Sequence, residues 1–369
     1  MHKNQWLDAF RDQCLRVPGQ HLLVIGKTGA GKTQTMYWIL DGILQHGKNE
    51  TVVWFDTGKS AEILRLAQFA PVTVWIPDDE TLDVIIRKKP GVSLDIEVKP
   101  FKDIESLWTG LQKGRINIIC IEPFILDPES RTTVVQKVFS TLIRLAHDYR
   151  IITPMAIFYD EFHRIAPAKG HGASMRQERY GGVIQENVER LRSLGVRFVP
   201  STQGWYKLRK GVRDCFSWLM VKRGASFDHD AERKLGKFTG LFQTLKVNES
   251  ILVYPTRVFS DILIMESYGD GEGLGTVRYK GIYEMARSTK VEDLLRPGAA
   301  APGAEQVVDL TQVDLGEEAL LDPDDVFMED LQEDVEIEEE DLDQEPTDVD
   351  LFEEVTNEAG KPGRSGNTA

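Results

Sequence analysis

The sequence predicts an α/β fold in which a mostly parallel sheet is covered by helices on both faces. Apolar runs of five or six residues alternate with longer segments of helical periodicity, and this alternation is typical of parallel sheets. The first run leads into a glycine-rich loop and then a helical segment, which is the order of elements expected in such proteins. The predicted strands are residues 21–25, 51–55, 72–76, 116–121, 155–159, 196–201 and 217–221.

Two further elements are predicted outside this series. Trp6, Phe10 and Cys14 recur at every fourth position before a Val-Pro-Gly break, so residues 1–20 are predicted to hold a short leading helix that packs on the sheet. Residues 248–267 contain two apolar runs, and we expect them to form a hairpin that ends the sheet. The main folded domain is predicted to span residues 21–290.

The formal charge of −15 is concentrated at one end of the chain. Residues 297–369 contain 24 acidic side chains and only two basic ones, Lys361 and Arg364. The preceding residues carry 42 basic and 35 acidic side chains, which gives that part a net charge of +7. Because a mildly basic domain can bind polyanions, the acidic charge of the whole chain does not exclude a DNA-binding function.

The acidic segment, residues 291–369, is predicted to be a disordered tail. It is rich in carboxylates and poor in aromatic residues, so burial of apolar surface cannot offset the entropy of ordering the chain. Apolar residues are nevertheless interleaved with the carboxylates, as in acidic segments that fold on a protein partner. A solubilising extension and a segment that binds an unknown protein partner are therefore both open interpretations.

Cysteine usage and hydropathy predict a protein of a reducing cytoplasm. Cys14, Cys120 and Cys215 are far apart and form neither a metal-binding spacing nor a disulfide framework. No apolar run approaches the roughly 18 residues of a membrane span. The amino-terminal stretch also lacks the apolar core of a signal sequence. We therefore expect no membrane span.

Residues 26–33 match the phosphate-binding pattern G-x-x-x-x-G-K-T. Glycines allow successive backbone N–H groups to surround phosphate oxygens, and the following helix directs its positive end at them. Lys32 is predicted to contact the β and γ phosphates of ATP, and Thr33 to offer its hydroxyl to Mg²⁺. The predicted nucleotide-binding residues are Gly26, Lys27, Thr28, Gly29, Ala30, Gly31, Lys32 and Thr33.

Two acidic residues, Asp160 and Glu161, follow the apolar run at residues 155–159. A carboxylate pair at the end of a strand beside the phosphate loop reaches the same pocket as the nucleotide. Asp160 is predicted to hold Mg²⁺ through water, and Glu161 to polarise the water that attacks ATP. His163 lies two residues further on, and we expect a structural role for it because no second His or Cys stands at ligand spacing.

These motifs resemble those of the HerA/FtsK superfamily of P-loop ATPases, over about residues 20–267. The segment Asp-Glu-Phe-His-Arg-Ile-Ala-Pro that begins at Asp160 is similar to the second nucleotide motif of this family. The Asp-Thr-Gly-Lys segment of residues 56–59 resembles the family's second strand, and the strand that ends in Thr-Gln resembles the one carrying its polar sensor. The resemblance implies a RecA-like fold, ATP and Mg²⁺ as cofactors, Gln203 as a γ-phosphate sensor, and a homo-oligomeric ring, usually a hexamer.

The resemblance also implies that an arginine from a neighbouring subunit completes each nucleotide site. Such a residue stabilises the charge that develops during phosphoryl transfer. For any single arginine the alternative is a surface salt bridge. Arg192 matches the family's position before a glycine best, and it ranks with Arg223 ahead of the others. The candidates are Arg192, Arg197, Arg213 and Arg223.

Two basic segments are candidates for DNA contact, since basic side chains bind backbone phosphates without reading sequence. The first follows Gln203 and includes Trp205 and Tyr206; its alternative is a solvated helix face with both rings packed inward. The second is a flexible basic loop at residues 168–182, whose alternative is an uninvolved surface loop. The predicted DNA-binding residues are Lys169, Arg176, Arg179, Lys207, Arg209 and Lys210.

The sequence therefore predicts an ATP-hydrolysing ring motor that translocates double-stranded DNA. Because the phosphate loop begins at Gly26, the short chain looks most like viral packaging ATPases or small plasmid ATPases, and genome packaging or transfer is the expected setting. One alternative is an ATPase for protein secretion or virion assembly, as in filamentous phage. The other is a nucleotide-gated switch, against which Glu161 argues because a base for water serves hydrolysis.

Overall fold

The computed structural model describes residues 3–59, 61–87, 93–151, 154–172, 174–227, 233–269 and 272–280. The chain divides into two units, Met1–Pro302 and Gly303–Ala369. The predicted acidic tail at residues 291–369 and the predicted domain boundary at residue 290 both lie outside the described residues.

A ten-stranded sheet, parallel except at one edge, forms the centre of the described structure. The described residues form twelve strands, of which all but β4 and β12 belong to this sheet: β1 (Leu22–Ile25), β2 (Thr51–Phe55), β3 (Val72–Pro77), β4 (Thr81–Ile86), β5 (Ile96–Phe101), β6 (Ile116–Ile119), β7 (Met155–Tyr159), β8 (Val196–Thr202), β9 (Trp218–Val221), β10 (Glu249–Val253), β11 (Leu263–Ile264) and β12 (Gly275–Lys280). The sheet order is β11-β10-β9-β1-β8-β7-β2-β6-β3-β5. Within this sheet, as far as the described residues show it, β10 pairs antiparallel with both β9 and β11, and the other neighbouring strands are parallel. The predicted α/β fold with a mostly parallel sheet is confirmed.

Helices cover both faces of this sheet. They are α1 (Lys3–Phe10), α2 (Lys32–His46), α3 (Ala61–Leu66), α4 (Ile104–Gly110), α5 (Pro128–His147), α6 (Met175–Ser193), α7 (Lys210–Asp214), α8 (Arg233–Gly236) and α9 (Thr239–Thr244). Leu22 and Val24 of β1 belong to one core with α1, α2 and α3. Leu23 and Ile25 face the opposite core with α4, α5 and α6. Among these described helices, none is long and apolar enough to cross a membrane.

All seven predicted strands are present, but three strands were not predicted. β5 lies at the edge of the sheet, where its charged residues and Pro100 are tolerated because one side needs no partner strand. β4 and β12 form a separate antiparallel pair, and their residues are too far apart in the chain for local periodicity to reveal the pairing. The segment predicted as a hairpin holds β10 and β11, which end the sheet on its other side.

The leading segment packs on the sheet through its apolar face. Helix α1 continues into one turn of π-helix at Arg11–Leu15. The fully buried ring of Phe10 lies 5.9 Å from that of Trp38 and 5.7 Å from that of Trp218, measured between centroids. Cys14 is also fully buried. This segment therefore closes the core beside β1 and β9.

Candidate functional site

The glycine-rich loop of residues 26–31 joins β1 to the amino terminus of α2. Gly29 and Gly31 have φ angles of 71° and 80°, a region that favours glycine. A Cβ atom at Gly31 would lie 2.8 Å from the carbonyl oxygen of Val247, so no larger residue fits there. The loop is closely packed at Gly31, and the positive end of α2 would face an anion bound there.

Lys32 and Glu161 form a shielded ion pair at the carboxyl edge of the sheet. The ammonium nitrogen of Lys32 lies 3.0 Å from Oε1 of Glu161, and the two side chains are only 6% and 15% exposed. Glu161 has a φ of 55°, in a region that costs a non-glycine residue on the order of 1 kcal/mol. Its backbone N–H donates to Oδ1 of Asp160 at 3.0 Å and to Oγ of Ser201 at 3.1 Å, which holds the strained turn in place.

Asp160 and Thr33 offer two oxygen atoms to a cation. The Thr33 hydroxyl donates to Oδ2 of Asp160 at 3.1 Å, and Asp160 is 1% exposed. Burial alone raises the pKa of Asp160, but contacts with Lys59, Ser201 and Lys32 hold it below its ordinary value. The carboxylate is therefore charged at neutral pH. Oxygen ligands of this kind suit Mg²⁺, and the site already accepts a cation, since the ammonium group of Lys59 contacts Asp160.

Lys59 was not among the predicted site residues. It follows β2 in a turn that Asp56 stabilises, because Oδ1 of Asp56 accepts hydrogen bonds from the N–H groups of Gly58 at 3.0 Å and Lys59 at 3.2 Å. β2 is the neighbour of β7 in the sheet, so this turn places Lys59 beside Asp160. The Asp-x-Gly-Lys pattern after a predicted strand was the one available signal.

Gln203, the predicted γ-phosphate sensor, lies directly after β8. Its side-chain oxygen accepts a hydrogen bond from the ammonium group of Lys207 at 2.9 Å. The preceding residue, Thr202, accepts a hydrogen bond at its carbonyl from the N–H of Gly26 at 3.2 Å. The structure therefore brings Gln203 to the start of the phosphate loop and connects it to a residue of the predicted DNA-binding segment.

His163 lies behind Glu161. Its Nδ1 is 3.5 Å from Oε2 of Glu161. Burial lowers the pKa of His163 to about 4, although the Glu161 carboxylate opposes this shift. The ring is therefore neutral at neutral pH. Within the described ranges, no group of three or more His, Cys, Asp or Glu side chains has the arrangement of a metal centre.

The four candidate arginines occupy different environments. Arg223 donates to the carbonyl oxygen of Gly29 at 3.2 Å and thus contacts the phosphate loop of its own chain. Arg192 is exposed at the end of α6, just before β8 begins, so it lies at the edge of the sheet opposite the phosphate loop. Arg213 stacks over the ring of Trp205 at 5.3 Å. The Arg213 guanidinium also donates to the carbonyl oxygen of Trp205 at 3.2 Å.

Arg197 is excluded as an arginine finger. Its side chain is 1% exposed. Nη2 and Nε lie 2.7 and 3.0 Å from the two carboxylate oxygens of Glu50. The guanidinium also donates to the carbonyl oxygens of Cys14 at 2.7 Å and Leu15 at 2.8 Å. The prediction that included Arg197 is wrong, because this arginine anchors the leading segment to the sheet.

The two predicted DNA-binding segments meet in the structure. The N–H of Ala168 donates to the carbonyl oxygen of Lys207 at 2.9 Å, and the N–H of Arg209 donates to that of Ala166 at 3.1 Å. Trp205 is buried, whereas Tyr206 is 47% exposed, so only one of the two rings packs inward. The exposed side chains of Lys169 and Lys210 and the half-buried ones of Lys207 and Arg209 lie in these segments.

The prediction of a loop through residue 182 is wrong. Helix α6 begins at Met175, and the hydroxyl of Ser174 caps it by accepting a hydrogen bond from the N–H of Gln177 at 3.1 Å. Arg176 and Arg179 therefore lie in the first turns of a helix. The glycines that suggested a loop, Gly181 and Gly182, instead make room for the side chain of Arg209.

Comparison with known proteins supports the phosphate site. Residues 14–58 match the family model described as Helicase HerA, central domain, a segment that includes the phosphate loop and β2. No curated protein matches the chain at a significant level.

Solved structures give distant likenesses. The genome packaging NTPase B204 from Sulfolobus turreted icosahedral virus 2, in complex with AMP, has 12% identity and a TM-score of 0.38 over 67% of this chain and 97% of that one. EssC (ATPases 2 and 3) from Geobacillus thermodenitrificans has 10% identity and a TM-score of 0.37, over 69% of this chain and 40% of that one. VirB4 of Thermoanaerobacter pseudethanolicus has 8% identity and a TM-score of 0.40, over 67% of this chain and 89% of that one. Structures this dissimilar do not show that the proteins move the same cargo.

The match to the HerA central domain confirms the predicted resemblance over residues 14–58. Lys32 and Thr33, at the end of the matched phosphate loop, lie against Glu161 and Asp160. The family match and this geometry together show that the chain is a P-loop ATPase.

Proposed function

We propose that this ATPase is a motor that assembles into a homo-oligomeric ring, usually a hexamer in this superfamily, and translocates double-stranded DNA. The observation that carries the proposal is the hydrogen bond from Lys207 to Gln203. It connects a basic surface segment to the residue next to the phosphate loop. A motor needs such a connection, because nucleotide hydrolysis must be linked to cargo contact. Genome packaging or transfer in a virus or plasmid is the proposed setting.

In this proposal Lys32 and Glu161 divide the chemistry of ATP hydrolysis. Lys32 moves its charge from Glu161 to the β and γ phosphates when ATP enters the loop. Glu161 is then free to accept the proton of the attacking water as the water oxygen bonds to the γ phosphorus and the bond from that phosphorus to the β,γ-bridging oxygen breaks, which releases ADP. Thr33 and Asp160 would hold Mg²⁺, which neutralises charge on the phosphate oxygens when bound. Gln203 is placed to contact the γ phosphate or the water.

The proposed DNA surface consists of the joined segments that carry Lys169, Lys207, Arg209 and Lys210. Their charges bind phosphates without reading bases, as a translocating motor requires. Arg176 and Arg179, in the first turns of α6, are part of the same proposal. The net charge of +7 in residues 1–296 favours a polyanionic cargo such as DNA.

The proposed ring gives a role to Arg192. This residue lies at the edge of the sheet opposite its own phosphate loop, so it can complete a nucleotide site only in a neighbouring subunit. Arg223 contacts the phosphate loop of its own chain and is the second candidate, acting within one subunit. Both assignments are proposals about the transition state of hydrolysis.

Steady-state ATP hydrolysis with and without long linear double-stranded DNA tests the proposal. We expect DNA to stimulate hydrolysis by the wild-type chain, with the stimulation falling as salt rises. Glu161→Gln supplies the blank, and Glu186→Gln, a substitution of an exposed glutamate on α6, supplies the matched control. A rate of hydrolysis that DNA does not change at low salt argues against a DNA motor and favours a protein cargo.

A further inference from the structure

The ammonium group of Lys59 lies at the point where the proposed metal ligands converge. It contacts Oδ2 of Asp160 and lies 3.5 Å from the hydroxyl oxygen of Thr33. These are the two oxygen atoms proposed to hold Mg²⁺. A lysine cation thus occupies the position that the chemistry of the site assigns to a divalent ion.

The local backbone places Lys59 there. Gly58 has a φ of 90°, which favours glycine, and Oδ1 of Asp56 accepts hydrogen bonds from the N–H groups of both Gly58 and Lys59. Asp56 is itself buried and fixed by Cys120, whose thiol donates to Oδ2 at 3.0 Å. Hydrogen bonds to Asp56 therefore hold the turn in this conformation.

The Lys59 ammonium group can also move to another position close by. Its side chain is 43% exposed, and a second carboxylate oxygen, Oε1 of Glu62, lies 3.6 Å from its ammonium nitrogen. A small movement of the flexible side chain keeps the charge near Glu62 or carries it towards solvent. Displacement from Asp160 therefore requires no rearrangement of the sheet.

An ammonium group and a divalent cation repel each other strongly when both contact the same carboxylate oxygen, so they compete for Oδ2 of Asp160. We propose that Lys59 controls metal binding at this site. Its ammonium group must leave Asp160 before a divalent ion can bind Thr33 and Asp160. Lys59 thereby suppresses metal binding until a nucleotide supplies further anionic ligands. This inference rests on the proposed assignment of Thr33 and Asp160 as metal ligands.

Titration of the full-length, nucleotide-free chain with Mn²⁺, followed by electron paramagnetic resonance of the free ion, tests the proposal without measuring activity. We expect Lys59→Gln and Lys59→Met to bind one Mn²⁺ at least about tenfold more tightly than the wild type, because the competing charge is removed. Lys59→Arg keeps the charge and should remain close to the wild type.

Two controls make the result specific. Lys99→Gln removes the same charge from a surface pair with Glu97 on β5 and should change nothing. The double substitution of Lys59→Gln with Asp160→Asn should lose the added Mn²⁺ site. The acidic segment at residues 297–369 is the same in every variant, so any Mn²⁺ that it binds cancels in the comparison.

A second titration with a non-hydrolysable ATP analogue separates this inference from the proposed function. If nucleotide-dependent Mn²⁺ binding is lost in Asp160→Asn while Lys59→Gln leaves nucleotide-free binding unchanged, the metal assignment stands and the role of Lys59 is overturned. If Asp160→Asn retains nucleotide-dependent Mn²⁺ binding at wild-type affinity, the assignment of Asp160 as a metal ligand and the role of Lys59 are both overturned.

Discussion

The ammonium group of Lys207 donates a hydrogen bond to the side-chain oxygen of Gln203 at 2.9 Å. Gln203 follows Thr202, whose carbonyl accepts a hydrogen bond from Gly26 at the start of the phosphate loop. Direct contacts therefore lead from a basic surface segment to the nucleotide site. A phosphate group of DNA that draws Lys207 away would release the Gln203 amide for the γ phosphate.

Lys207→Gln is expected to raise ATP hydrolysis in the absence of DNA and to reduce its stimulation by DNA. The expected increase is about tenfold to a hundredfold, since a hydrogen bond to a charged group contributes roughly 1.5–3 kcal/mol and each 1.36 kcal/mol changes a rate about tenfold. Phosphate release in both conditions measures the effect. Lys210→Gln, in the same segment but exposed, should weaken DNA binding without raising the basal rate. Equal basal rates for the two variants would show that Lys207 does not restrain Gln203.

Lys32→Ala and Glu161→Gln are expected to separate nucleotide binding from hydrolysis. Lys32→Ala removes the charge that is proposed to contact the phosphates and should lower ATP affinity. Glu161→Gln removes the base but keeps the side-chain shape, so it should bind ATP while hydrolysis falls by about 10²–10⁴. A fluorescent ATP analogue and a phosphate-release assay measure the two properties. Normal hydrolysis by Glu161→Gln would transfer the role of base to another residue.

Mixing inactive variants tests the role proposed for Arg192. If Arg192 completes the site of a neighbouring subunit, Arg192→Ala and Lys32→Ala chains mixed before assembly should regain hydrolysis, because some interfaces combine an intact loop with an intact arginine. Each variant alone should be inactive at the level of Glu161→Gln. A mixture no more active than its components would place the essential arginine in the same chain, and Arg223→Ala is then the next variant to measure.

Arg197→Met is expected to reduce the free energy of unfolding by about 3–5 kcal/mol, because Glu50 is left buried without its partner. Urea unfolding followed by tryptophan fluorescence measures the change. The control is Arg144→Met, which breaks an exposed ion pair with Glu105 at 2.6 Å and should cost less than about 1 kcal/mol. Similar losses for both variants would contradict the anchoring role of Arg197.

His21 is expected to make the fold sensitive to acid. Its Nδ1 accepts a hydrogen bond from the N–H of Phe198 at 3.2 Å, so Nε2 carries the proton and donates to the carbonyl oxygen of Val188 at 3.0 Å. Burial lowers its pKa from 6.5 to about 4. Its contribution is therefore fully present above pH 6.5 and is lost as pH falls towards 4, amounting to about 3 kcal/mol.

Unfolding free energies at pH 7, 5.5 and 4.5 measure this dependence. His21→Gln should show a shallower loss of stability with falling pH than the wild type, although it starts from a lower value at pH 7. His147→Gln, at an exposed histidine of α5, is the matched control. Parallel pH profiles for all three chains would mean that His21 protonation does not govern the acid response.

The central strands and the phosphate loop were predictable because their signals are local. Each buried parallel strand is a short apolar run, and the loop pattern states its own chemistry. β4 and β12 were missed because their pairing joins distant parts of the chain. β5 was missed because an edge strand needs neither a continuous apolar run nor a full set of hydrogen-bond donors.

The residues missed or misplaced in the site depend on neighbours that the sequence does not reveal. Lys59 gained its place because β2 lies next to β7. Arg192 and Arg197 lie in the same motif, yet one is exposed and the other is buried against Glu50, a partner far away in the chain. Gly181 and Gly182 suggested a loop, but they lie within α6, where they leave room for the side chain of Arg209.

Displacement of a triplex-forming oligonucleotide from linear duplex DNA tests translocation most directly. We expect the wild-type chain with ATP to displace the third strand, with a delay that grows with the length of duplex ahead of it. Glu161→Gln, and the wild type with a non-hydrolysable analogue, should leave it bound. A wild-type chain that hydrolyses ATP at full rate on this DNA and displaces nothing would contradict the proposal that it is a DNA translocase.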